Sequence, residues 1–226
     1  MSSELQRIEA LAAGLLSLQA YEPARNANRR HMIAYRRART LELGRCMRLQ
    51  FEDALTLRYQ VQEVLRAERI AHAQGVRDEL GIYAHLLPDE SNWKATLFIE
   101  LPDAALRARM LPMLSRAAHR IRLDIDGQRV PAFANEDLAA GSNARHLERP
   151  SGVHFLRFEL SSQARAAIHA GAIATLRCDD PACPLRQPIP TPLLDLLRKQ
   201  TAPGRDAESA PAMPSSPRRT LERLAT

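Results

Sequence analysis

A carboxylate inside an apolar helical stripe is the first residue in this chain whose placement could do chemistry. In "FEDALTLRYQVQEVLRAERI", a helical period of about 100° per residue gathers Ala54, Leu57, Val61, Val64 and Leu65 on one arc. Glu68 projects into the centre of that arc. A carboxylate facing a core costs several kcal/mol unless it is paired or protonated. Three expectations follow. Glu68 forms a structural ion pair with an inward arginine, either Arg157, which interrupts the apolar run "VHFLRFEL", or Arg48. Alternatively, lying late in its helix, it reaches solvent. Or Glu68, Arg157 and Arg48 form a polar pocket that takes a ligand or a metal, where shifted pKa values would mark the site.

Arginines supply the second constellation. In "EPARNANRRHMIAYRRART", helical spacing puts Arg25, Arg29, Arg36 and Arg39 on one stripe with Met32, flanked by Arg30 and Arg37. Guanidinium groups bind phosphate and carboxylate bidentately, so this helix is a candidate anion or nucleic-acid surface. The competing expectation is a solvated helix whose arginines pair with Glu22, Glu42 and other nearby acids. Glu63 and Arg66 are spaced for an ion pair along a helix, on a face that is a candidate for docking a partner. No helix-turn-helix, zinc-finger or aromatic RNA-binding block accompanies the arginines.

Other chemistry-bearing patterns are weak. Cys178 and Cys183 have C-x4-C spacing without the further ligands of a zinc or iron–sulfur motif, so core or loop cysteines are expected. His154 alternates with Leu156 and Phe158, as a satisfied core histidine would. There is no H-E-x-x-H, no G-x-S-x-G and no Gly-rich phosphate loop. The sequence therefore names no catalytic residue, no metal ligand and no cofactor, and it leaves open whether the protein is an enzyme.

The elements that must position these residues alternate in kind. Helices are expected over residues 3–18 and 22–40, the second with Pro23 in its first turn. "RCMRLQFED" is a strand with Arg45, Met47, Leu49 and Phe51 on one face and Cys46, Arg48, Gln50 and Glu52 on the other. The helix carrying Glu68 runs to about Gly75, and "VRDELGIYAHLL" is a shorter one. "NWKATLFIELP" is a strand, and Asp103 caps a helix to about Ala118. A hairpin turns at Asp126-Gly127. "GVHFLRFEL" and "AIATLRCDD" are strands around the helix "QARAAIHAG", and "PTPLLDLLRKQ" closes the fold. This order gives an α+β domain over 1–200, with N-terminal helices and a mixed or largely antiparallel sheet packed against helices. Residues 201–226, rich in Pro, Ser, Ala and charge, are expected to be a disordered tail.

Composition sets the frame. With 45% hydrophobic residues the chain can bury an ordinary core, but 4% aromatics leave that core to aliphatic side chains. No apolar run is long enough to span a bilayer, and Glu4 and Glu9 precede the N-terminal apolar patch where a signal peptide wants only positive charge. A cytoplasmic protein with no membrane partner is expected. Three cysteines do not make a disulfide framework. A net charge of +6 favours anionic partners, although Arg-rich, Lys-poor usage also fits a compositional habit.

Three blocks, "FEDALTLRYQVQEVLRAERI", "LLPDESNWKATLFIELPD" and "VHFLRFEL", in this order and spacing, resemble a bacterial family of uncharacterised proteins, a domain of unknown function. The resemblance runs from about Leu18 to Arg198. It implies no catalytic residue. Members of that family are often encoded near rubrerythrin-like and iron–sulfur oxidoreductase proteins, which implies an accessory role in a redox or metal-linked system and a redox or iron–sulfur protein as partner. The chain departs from the family pattern in "CDDPACP", where Asp180 and Cys183 replace the expected His and Tyr. The resulting expectation is a cytoplasmic accessory or interaction protein. The alternatives are a small-molecule-binding protein or enzyme with a Glu/Arg pocket, and nucleic-acid binding through the arginine helix.

Overall fold

The computed structural model describes residues 2–134, 150–181 and 183–202. Its elements in chain order begin with α1 (Ser2–Ala12), α2 (Leu18–Arg37), β1 (Thr40–Glu42), β2 (Met47–Phe51), α3 (Ala54–Ala67) and α4 (Ala73–Ala84). They continue with β3 (Asn92–Ile99), α5 (Ala104–Ala118), β4 (Ile121–Ile125), β5 (Gln128–Ala134) and β6 (Val153–Glu159). The last are α6 (Ser162–His169), β7 (Ala174–Cys178), β8 (Leu185–Pro188) and α7 (Thr191–Gln200). The strands form one eight-stranded sheet in the order β1-β2-β3-β6-β5-β4-β7-β8, and every pairing is antiparallel. The fold is α+β, as the alternation of elements implies.

Period-two alternation decides what each face of the sheet meets. Leu49 and Phe51 of β2, Trp93, Ala95 and Leu97 of β3, Leu156 and Phe158 of β6, and Leu123 of β4 point to one side. There they bury against Leu114 and Ala117 of α5, Ala164 and Ile168 of α6, and Leu193, Leu194 and Leu197 of α7. Trp93 ties this layer together by donating its indole N–H to the Leu197 carbonyl at 3.2 Å. On the opposite side of the β2-β3-β6 half lie the N-terminal helices. Phe155 of β6 packs into a cluster with Leu11 of α1, Leu57, Val61 and Leu65 of α3, and Leu80 and Ala84 of α4. A third cluster, Tyr21 and Met32 of α2 with Leu55 and Tyr59 of α3, joins those two helices.

Two covers make β2 and β3 central strands, and the face expected to be polar is buried as well. Gln50, Glu52, Lys94 and Thr96 are each at most 4% exposed. The helices above them are locked by side chains that stand in for backbone. Gln62 of α3 both accepts from the Leu16 amide and donates to the Leu16 carbonyl, while Arg58 donates to the carbonyls of Ala10 and Leu11 at the end of α1. These bonds satisfy carbonyl groups that the helix terminus leaves open.

Several boundaries differ from the sequence expectation. The helix carrying Glu68 stops at Ala67 rather than near Gly75, because Arg69 adopts the left-handed region at φ 57° and His72 caps a new helix by accepting from the Gly75 amide. The second helix stops at Arg37, and Thr40–Glu42 becomes the edge strand β1. β8 was not expected at all. Thr201 is buried and closes α7, so ordered chain passes the expected start of the tail, whose residues 203–226 lie outside the described residues.

Candidate functional site

The three residues of the expected polar pocket sit on three elements, Glu68 at the end of α3, Arg157 on β6 and Arg48 on β2. Glu68 is the C-cap of α3 and is exposed, so the expectation that it faces the core is overturned. The periodicity argument carried the helix on to about Gly75, but it stops at Ala67, and the chain turns before the side chain reaches the core arc. Arg157 of β6 pairs with Glu159 at 2.8 Å on its own strand. Arg48 of β2 pairs with Glu100 at 2.7 Å and stacks on Phe98, its guanidinium 4.7 Å from the ring centre.

The arginine helix divides into three destinations. Arg25 turns back to α3, where its Nε and Nη2 donate to the two carboxylate oxygens of Glu63 at 3.0 and 2.8 Å. The same carboxylate accepts from the buried Tyr21 hydroxyl at 2.6 Å and lies 3.9 Å from Arg66. Burial pushes the Glu63 carboxyl up, but bonds from Arg25 and Tyr21 outweigh it and the net shift is downward. Arg39 lies beyond the end of α2, so it leaves the expected surface stripe altogether. It is 5% exposed, pairs with Asp53 at 2.6 Å and packs over the Tyr35 ring.

Arg29 and Arg36 remain together, one helical turn either side of Met32 and Ile33. With Arg37, and with Arg48 from β2, they line a groove of about 370 Å³. Thr40 and Glu42 of β1, Gln50 of β2 and Tyr59 of α3 complete its walls. The groove is built because α2 crosses the edge of the sheet. Residues spaced i, i+3, i+4 and i+7 on α2 then face the outward residues of β1 and β2. Arg48 is offset by its pair with Glu100, but Arg29, Arg36 and Arg37 against the single lining carboxylate of Glu42 make the groove electropositive. Burial raises the Tyr59 phenol, with Glu63 adding to the effect, so it is a neutral hydroxyl near pH 7.

Beneath the groove is a polar relay that the sequence pattern did not disclose. Arg36 Nε donates to Gln50 Oε1 at 2.6 Å, and Gln50 Nε2 donates to Glu52 Oε1 at 3.0 Å. Glu52 also accepts from Thr96 at 2.6 Å, Thr56 at 2.5 Å and Gln60 at 3.3 Å. Desolvation raises the Glu52 pKa against the pull of these bonds and of the Arg36 charge. Its sequence signal was a strand end, "QFED", that looked solvated. The available clue was composition: Gln50, Thr56, Lys94 and Thr96 are hydrogen-bonding residues placed where two neighbouring strands and a helix could share them.

Among the described residues, no three His, Cys, Asp or Glu side chains are gathered so as to hold a metal ion, and no helix is long and apolar enough to cross a membrane.

No curated protein matches the chain. Among solved structures it is similar to the crystal structure of a novel protein of unknown function from Burkholderia pseudomallei, with 37% identity and a TM-score of 0.77. That likeness covers 83% of this chain and 96% of the other. Residues 11–201 match the family described as "Protein of unknown function (DUF3501)", and the chain belongs to that family.

Proposed function

We propose that the protein is an anion-recognition accessory protein, and that the arginine groove between α2 and the β1–β2 edge takes a small ligand bearing a phosphate or carboxylate group. The observation that carries this is the convergence of Arg29, Arg36, Arg37 and Arg48 on one half-enclosed groove whose floor is a fixed polar relay. Arg36, held by Gln50, is a fixed donor, and guanidinium groups bind oxyanions bidentately. Met32, Ile33 and Tyr59 give the ligand's remaining part an apolar wall. A redox or metal-linked setting for this role is part of the proposal and rests on the family resemblance.

Titration calorimetry with citrate and inorganic phosphate tests the reading. Saturable binding that weakens as sodium chloride rises is expected, with Arg29→Ala and Arg36→Ala each lowering affinity about tenfold, the worth of one charge-assisted hydrogen bond. Binding that ignores both substitutions removes the groove as the site. Tight, salt-steep binding to duplex DNA, far above that to the small anions, would replace a small ligand by nucleic acid.

A further inference from the structure

β1 is an edge strand, and among the described residues no strand pairs with its outer side. Its backbone is half used. The Phe51 amide donates to the Arg39 carbonyl, and the Leu43 amide to the Met47 carbonyl, both at 2.9 Å. Along an antiparallel ladder, successive residues alternate in the direction of their N–H and C=O groups. Arg39, Leu41 and Leu43 therefore bond to β2, while Thr40 and Glu42 turn their backbone groups off the edge of the sheet. The side chains of Thr40 and Glu42 line the arginine groove. The two ends of this edge differ in charge. At the Thr40 end the chain has just left α2, and the Thr40 hydroxyl donates to the Arg36 carbonyl at 2.8 Å. Gln50, the cross-strand partner of Thr40, holds Arg36 Nε, and Arg37 also lines the groove. At the other end stands the exposed carboxylate of Glu42. Ile33 of α2, 61% exposed, gives the groove an uncovered apolar wall.

We propose that this edge and the groove together bind the carboxyl terminus of an extended peptide, which pairs with β1 as an added antiparallel strand. The inference rests on the reading of the groove as an oxyanion site and names the carrier of the oxyanion. The outward N–H and C=O groups of Thr40 and Glu42 supply the main-chain hydrogen bonds of strand addition. Peptide residues opposite Thr40 and Glu42 share their face, so alternate side chains turn toward Ile33 and α2. Charge fixes the direction. Arg36 and Arg37 draw a terminal carboxylate to the Thr40 end, and Arg36 reaches the buried Glu52 only through Gln50. Elsewhere in the groove Arg48 is paired with Glu100, and Glu42 balances Arg29 in charge. The peptide therefore runs from the Glu42 end to the Thr40 end, the antiparallel sense of every other pairing in the sheet. The edge is short, because Gly44, at φ 76°, turns the chain toward β2 soon after Glu42. Such an edge suits a chain end rather than a long internal segment.

Fluorescence anisotropy on the full-length chain tests this, with a labelled hexapeptide of alternating threonine and valine that ends in a free carboxylate. Main-chain bonds and the terminal charge carry the recognition, so a generic strand former suffices as the probe. Saturable binding is expected, weakened about tenfold by amidating the terminus and about tenfold by Arg37→Ala. The hexapeptide should also compete far better than N-acetylvaline, which has the carboxylate without the strand. Bound peptide should slow amide hydrogen exchange at Thr40 and Glu42 and leave Leu41, already turned to β2, unchanged. Citrate is titrated in parallel. If citrate binds while the hexapeptide does no better than N-acetylvaline, strand addition is overturned and the oxyanion groove stands. The same holds if Thr40 and Glu42 exchange no more slowly with peptide bound. An amidated peptide that binds as well as the acid overturns the capture of a terminal carboxylate. Failure of both citrate and peptide to bind overturns the groove reading and this inference together.

Discussion

Glu52 is the residue whose chemistry is most constrained by its surroundings. It is 1% exposed, and it accepts hydrogen bonds from Gln50, Thr56, Thr96 and Gln60. Desolvation nevertheless raises its folded pKa above the ordinary carboxylate value of 4.5. The folded state therefore holds this proton more tightly than the unfolded chain does. Its stabilising effect is complete below the unfolded pKa and is lost as pH rises through the folded pKa. Over that window wild-type stability should fall relative to Glu52→Gln by up to about 1.4 kcal/mol per pH unit. Denaturant melts of the two proteins at stepped pH read the difference directly. A difference that does not change with pH would mean that Glu52 stays charged throughout. The same residue shows what the sequence could not convey. An acid on an apolar stripe, Glu68, attracts suspicion but ends up exposed because the helix stops first. An acid at a strand end attracts none, yet it is buried because helices cover the second face. Burial is decided by tertiary covering, and no local period reports it.

Among the elements, α3 is held at its start by a single side chain with several duties. Asp53 accepts from the amides of Leu55 and Thr56, and the Thr56 hydroxyl oxygen accepts from the Asp53 amide, completing a capping box. The same carboxylate takes Arg39 at 2.6 Å and the Tyr35 hydroxyl, so it joins α3 to the end of α2. Asp53→Ala should cost about 4 kcal/mol, because it leaves the buried Arg39 without its partner and removes the cap. Asp53→Asn keeps the capping oxygen and should be milder by about 1 kcal/mol. Equal losses in thermal and denaturant melts would show that the cap contributes nothing. Elements with strong local signals were legible. Asp103 and Ser161 cap α5 and α6, and Asp126-Gly127 turns the β4–β5 hairpin, as their types require. The missed elements had weak signals. β1 has three residues and follows an arginine run with helical spacing, and β8 has four, including a proline. Their pairing partners define them, and partners are not a local property.

At the scale of the whole molecule, the groove and the buried relay are one device, because Arg36 belongs to both. Its guanidinium faces the groove, and through Gln50 it bears on Glu52, where its charge lowers the carboxyl pKa. The other groups around Glu52 are Thr56 and Gln60 of α3 and Thr96 of β3, the buried Lys94 of β3, whose carbonyl accepts from the Glu52 amide, and Tyr83 of α4, near enough to feel its charge. An anion that occupies the groove and offsets Arg36 should let the Glu52 pKa climb further. A ligand that raises a pKa takes up protons on binding, and its affinity falls as pH rises through that group's titration. Sulfate is the suitable probe, since it does not itself titrate in this range. Calorimetry between about pH 5 and pH 8, in paired buffers of different ionisation enthalpy, should show fractional proton uptake and weakening affinity toward higher pH. Glu52→Gln should bind sulfate with no proton uptake and a flat profile, while Arg36→Ala should lose most of the binding. Sulfate that binds with wild-type affinity but without proton uptake would uncouple the groove from the relay and leave Glu52 a purely structural acid.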